Sequence, residues 1–291
     1  MQQDSSLSAF SAFLAENITK FQELKSEGTA SSGRRARKLA LCKGFWALST
    51  EERQRLSKFA GDPSNKEGIS TALGPIEDEK DENDTNLGVG IVLRTDYSDD
   101  AAWTKFCDAL RKAEQESLGE EDVDMAENNA DENDDSDSDS GSDSEDEEEQ
   151  SLFILKADPA LNLAGISNLI ALRLFNDVDI VSAPKKPIDA PQSKMKISHP
   201  LMDKDGLVEA YTGNLLWIYD AKSNTDNSVR VVNQRCDTYG TATGDSWRAR
   251  APFLPGLQVN LFGGGMKITF TGLDGWDQDE RKRNLEEGKL A

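Results

Sequence analysis

Residues 87–103 read LGVGIVLRTDYSDDAAW, and this stretch decides the fold class. Leu87, Val89, Ile91 and Leu93 alternate with Gly88, Gly90, Val92 and Arg94, the period of two expected of a strand. Ser98 or Asp99 then stands where a helix N-cap belongs, ahead of Ala102, Trp103, Phe106, Leu110 and Ala113 at helical spacing. Strand, short turn and helix follow one another within thirty residues. Further along, 152–156 has a short buried-strand pattern and 163–175 is apolar enough for a buried helix, with Val178, Ile180 and Val181 as the next strand. Residues 215–219 and 229–232 flank a turn-rich segment and predict a β-hairpin. A last strand-like region, 257–270, has Gly263, Gly264 and Gly265 at its middle, which predicts a bulge or tight turn between strands. The expectation is an α/β or α+β domain over 87–119 and 151–276, with a central sheet of about five strands and helices 99–116 and 163–175 against it.

The flanking regions differ in character. Leu7, Phe10, Phe13, Leu14, Ile18, Phe21 and Leu24 form an amphipathic stripe ended by Gly28, residues 34–47 carry a second, and Ser49-Thr-Glu-Glu52 opens a third as a capping box. Residues 1–61 therefore predict a helical module, 62–86 an acidic, glycine-containing linker, 182–199 a Pro- and Lys-rich exposed loop, and 277–291 a charged tail. Arg34, Arg35, Arg37 and Lys38 form a basic patch with three open uses: a solvated face, an intramolecular partner of the acidic tract 120–149, or a nuclear-import or nucleic-acid surface.

Charge is distributed very unevenly. Of a net −21, residues 120–149 carry −17, seventeen Asp and Glu with no Lys or Arg, while 150–291 sum to zero. Self-repulsion and the shortage of apolar side chains leave nothing to offset an ordering entropy of about 1–2 kcal/mol per residue, so 120–150 is expected to be a disordered insertion. Ser136, Ser140, Ser142 and Ser144 each have an acid three residues on, the pattern of an acid-directed kinase of the casein-kinase-2 type, and each phosphate would add about −1.5 to −2.

Residues 94–103, RTDYSDDAAW, behind an alternating strand, resemble the opening of an uncharacterised domain family found in bacteria, especially actinomycetes, and in fungi. Trp217 to Asp220, Ser228 to Val232 and the pair Asn260, Leu261 are similar to later segments of that family. The resemblance implies a fold unit over 87–119 and 151–270 and transfers no catalytic residue. The long insertions and N-terminal helices depart from the family pattern and imply a eukaryotic, fungal source.

Chemical candidates are few. Asp96, Asp99 and Asp100 lie between a strand end and a helix start, where α/β folds bind ligands, and could hold a cation or supply an acid; equally, they are the residues helix capping requires. His199 is the only histidine, so a His-rich metal site cannot be built. Gly263-Gly-Gly-Met-Lys267 lacks P-loop spacing, Asp203-Lys-Asp-Gly206 is a turn and not a calcium loop, and Ser246 lacks a nucleophile elbow. Cys42, Cys107 and Cys236 read as buried reduced thiols. No run of eighteen apolar residues and no signal-peptide pattern is present, so an intracellular, cytoplasmic or nuclear protein is expected. These readings favour a non-enzymatic regulatory protein without cofactors, whose acidic phosphorylatable loop engages basic proteins, with no direct nucleic-acid or membrane contact. The alternative is an enzyme or a small-ligand or metal-binding domain at Asp96, Asp99 and Asp100.

Overall fold

The computed structural model describes residues 7–26, 33–81, 84–85, 88–126, 151–185, 198–266, 268 and 277–289. Its centre is a mixed five-stranded sheet with helices on both faces, an α+β architecture. β1 (Gly90–Arg94) lies between β2 (Phe153–Lys156) and β5 (Leu216–Tyr219) and is parallel to both, while β6 (Ser228–Val232) and β7 (Ser246–Arg250) extend the sheet antiparallel beyond β5. Period-two alternation sorts the side chains. Val92, Trp217, Tyr219, Val229 and Val231 face one way, and Ile91, Leu93, Leu216, Ile218 and Val232 the other, into two separate cores.

The first core is closed by α6 (Asp100–Ala126) and α9 (Leu254–Phe262), through Phe106, Leu110 and Leu254. The second is closed by α7 (Asn168–Phe175), by a separate hairpin of β3 (Asp177–Ser182) and β4 (Leu207–Thr212), and by the N-terminal helices. These helices are α1 (Ala9–Glu16), α2 (Ile18–Ser26), α3 (Arg34–Trp46), α4 (Thr50–Gly61) and α5 (Lys66–Glu77). Phe45 meets Phe10 and Phe13 edge to face, its ring centroid 6.1 and 5.6 Å from theirs, and all three join the same core as the sheet. The described helices of the 1–61 segment are thus docked on the main domain. The capping box forms, Ser49 Oγ accepting from Glu52 N at 3.2 Å.

Several expectations change. The single stripe 7–24 breaks at Asn17, whose side-chain amide donates to Phe13 O at 2.8 Å and competes with the helix backbone. The 62–86 linker contains α5, which buries Ile69, Leu73 and Ile76 in the second core. The helix expected to end near Ser117 runs to Ala126, so the first residues of the 120–150 insertion are helical; 127–150, with Ser136, Ser140, Ser142 and Ser144, lies outside the described residues. Of the strand-like region expected over 257–270, residues 257–262 belong to α9 instead. Gln258 explains why: from a helix it reaches into the sheet's core, accepting from Trp217 Nε1 at 2.9 Å and donating to Gly88 O at 2.8 Å. The 178–181 strand leaves the central sheet for β4, and the charged tail is α10 (Gln278–Gly288), which buries Glu280 and Asn284.

Candidate functional site

The β1–α6 junction gathers Asp96, Asp99 and Asp100 as expected, but each already has structural work. Asp96 Oδ1 accepts from Ser98 N at 3.0 Å and from Asn224 Nδ2 at 2.8 Å, and Tyr219 OH fixes that amide by donating to its oxygen at 2.7 Å. The Ser98 hydrogen bonds hold the Asp96 carboxyl below its usual range, so it stores no proton near neutrality and does not suit a general acid. Asp99 Oδ1 caps α6 by accepting from Ala102 N at 2.9 Å. Asp100 pairs at 2.7 Å with Arg94, whose guanidinium also sits 4.9 Å from the Tyr97 ring and 5.3 Å from that of Trp103. Among the described residues no cluster of three or more His, Cys, Asp and Glu could hold a metal ion.

The basic patch is occupied rather than solvated. Arg35 and Arg37 are buried, and the patch meets the acidic stretch that follows α5. Arg34 pairs with Asp84 at 3.1 Å and Asp177 at 2.8 Å, Arg35 with Asp84 at 2.5 Å, Arg37 with Glu79, and Lys38 with Asp177 at 3.6 Å. The pairing is within the chain, but its acids are Glu79, Asp81, Asp84 and Asp177, and none of these pairs involves the 120–149 tract expected as partner.

A second polar cluster ties the N-terminal helices to the domain. Glu209 is fully buried at the centre of β4. Its carboxylate accepts from Arg173 at 3.1 Å, Trp46 Nε1 at 3.2 Å and the Tyr211 hydroxyl, with Cys42 Sγ at 3.9 Å. Burial, then the Glu209 charge, push the Cys42 thiol well above its normal value, and burial pushes Cys236 up to about 12. Neither forms a ready thiolate. Removing Glu209 would strand Arg173, the kind of loss that costs about 3–5 kcal/mol.

The concave polar surface that sequence reasoning missed lies beyond the C-terminal end of β5. Asp220 stands 3.2 Å from Arg230 Nε and also pairs with Arg248, which puts one carboxylate between two guanidiniums that face each other across β6 and β7. These pairs hold the Asp220 carboxyl low against the opposing effect of its partial burial. A cavity of about 510 Å³ opens above them, walled by the first turn of α10 and by Lys222. The signal was present as polar residues at period two, Ser228 and Arg230, then Ser246, Arg248 and Arg250. Comparison with protein-family models, curated proteins and solved structures finds no match.

Proposed function

We propose that this is a non-catalytic interaction protein in which a rigid α+β scaffold displays an acidic segment to basic protein partners. The observation that carries this reading is the occupied basic patch. The four cations Arg34, Arg35, Arg37 and Lys38, the strongest internal candidates for a polyanion, are taken by Glu79, Asp81, Asp84 and Asp177. On this reading the carboxylates of 120–149 act in trans. The segment continues α6 and returns into β2, so it joins a helix that packs on the central sheet to a strand of that sheet. The engagement of Asp96, Asp99 and Asp100 in capping and pairing speaks against the enzymatic alternative. Phosphorylation of Ser136, Ser140, Ser142 and Ser144 would deepen the charge and tighten such contacts.

The test keeps the chain length and replaces the thirteen acidic residues between 127 and 149 by Asn and Gln. Affinity capture from extract is compared for the two proteins at low and at high salt, since exposed charge contacts are screened within about 10 Å at 0.1 M. Basic partners held by the native chain and lost both on neutralisation and at high salt are expected. An unchanged set of partners would overturn the reading.

A further inference from the structure

We propose that the cavity between β6, β7 and the start of α10 binds a small phosphate-bearing polyol, a ligand of the sugar-phosphate class. The inference is independent of the acidic segment.

Strand alternation builds the floor. Register pairs Arg230 with Arg248 and Ser228 with Arg250, so three guanidiniums and two hydroxyls, those of Ser228 and Ser246, share one face of the ribbon. Like charges directly opposite on a sheet repel. At the deep end the repulsion is relieved internally, by Asp220 between Arg230 and Arg248 and by Glu280 at 3.4 Å from Arg230. The outer end is different. Lys222 and Arg250 are exposed on the cavity wall and have no ion pair among the described residues.

An independent observation points to a missing acceptor. Ser246 is only 3% exposed, lines the cavity, and its hydroxyl has no hydrogen-bond partner. A buried unsatisfied polar group costs about 1–3 kcal/mol, and because Ser246 and Arg250 stand at opposite ends of β7, a hydroxyl of a ligand whose phosphate sits at Arg250 would relieve it by reaching along the ribbon. Phosphate oxygens match the guanidinium fork of Arg250 and the point charge of Lys222.

The rim selects the rest of the ligand. Asp277, the N-cap of α10 at 3.5 Å from Arg230, and Asp279 in its first turn place two carboxylates on the cavity rim. They would repel a second anionic group and accept from hydroxyls, which favours a phosphate attached to a polyol over a bare or multiply charged anion. The volume lies within the roughly 300–1,000 Å³ of small-molecule sites. β7 is the last strand of the sheet, so no further strand closes that side.

Isothermal titration of the full chain with ribose 5-phosphate, inorganic phosphate and ribose tests the assignment. Saturable binding of ribose 5-phosphate, about tenfold or more tighter than phosphate, with none for ribose, is expected. Lys222→Gln and Arg250→Gln change exposed residues, so their melting temperatures should match the native protein while each weakens binding about fivefold or more. Ser246→Ala should also weaken binding without loss of stability. Absence of saturable binding by either phosphate compound, or unchanged affinity in the Lys222→Gln, Arg250→Gln double variant, would overturn the site. Equal affinity for phosphate and ribose 5-phosphate would overturn the polyol assignment.

Discussion

His199, placed by its Pro-flanked context in an exposed loop, is buried, and its two ring nitrogens are both committed. Nδ1 accepts from Leu201 N at 3.1 Å, which leaves the proton on Nε2 to be donated to Leu285 O at 2.8 Å. Protonating the ring would therefore break the Nδ1 contact and charge a buried group. Burial is the main cause that lowers its pKa below the usual 6.5, with Lys289 and Lys204 adding to it. The folded state binds that proton more weakly than the unfolded state, so the stability owed to neutral His199 is complete above pH 6.5 and is lost as pH falls through the lower folded value. Asp245 works in the opposite direction: burial raises it to about 6 despite Arg281, and its contribution is lost as pH rises from 3.8 to about 6. A bulk stability curve mixes the two, but a difference isolates one. The advantage of the native protein over His199→Gln in urea unfolding should shrink between pH 7.5 and pH 5. As the only histidine, it should also give one imidazole proton resonance that titrates below 6.5. A midpoint at or above 6.5 would contradict the burial argument.

At the scale of elements, α10 is the cap of α7. The first N–H groups of a helix have no partner within it. In α7, Ser167 serves Ile170 N at 3.1 Å, but Asn168 N is taken by Glu280 at 2.6 Å and Leu169 N by Asn284 at 3.0 Å, both from α10. Asn284 also donates to Gly244 O at 3.0 Å, and Gly288 lets α10 settle on His199, where an added Cβ would lie 2.9 Å from the ring. Asn284→Ala should lower stability by about 1–3 kcal/mol through these stranded groups, whereas Arg283→Ala on the exposed side should stay within about 0.5 kcal/mol. Chemical denaturation decides, and equal losses would remove α10 from its capping role. This is also where sequence reading reaches its limit. Local patterns were sufficient for β1, α6, β2 and the β5–β6 hairpin, because hydrophobic period and an Asp or Ser cap sit within a few residues of one another. They were insufficient for α10, whose polar face is made for partners more than a hundred residues away, and for β4, where the buried charge of Glu209 breaks the alternation. In 257–262, Leu257, Val259 and Leu261 alternate like a strand, and only the reach of Gln258 to Trp217 reveals the helix. The Asp96 cluster was legible as a capping pattern, while the Arg230 and Arg248 site needed the register of two strands 18 residues apart in sequence to be seen.

For the whole molecule, the position of the acidic segment in the topology matters more than its composition. It interrupts a crossover: β1 leads through α6 to the parallel strand β2, and the insertion occupies the return from helix to strand. A cut there divides the chain into one part holding the N-terminal helices, β1 and α6, and another holding every other strand. β1 lies between β2 and β5, so a strand of the first part is hydrogen-bonded on both edges by strands of the second. α6 covers Trp217, Tyr219 and Val229 of the second part, and α1 and α3 bury Phe10, Phe45 and Trp46 in the core they share with α7 and β4. The two parts are interleaved, not side by side. A specific protease site placed between residues 130 and 140 should therefore be cleavable without loss of the fold. The fragments should co-elute at the size of the intact protein and separate only in denaturant, because the contacts that join them are the sheet and both cores and not the peptide bond that was cut. If the fragments separated under native conditions, the segment would be part of what holds the domain together, and the display role proposed for it would lose its structural basis.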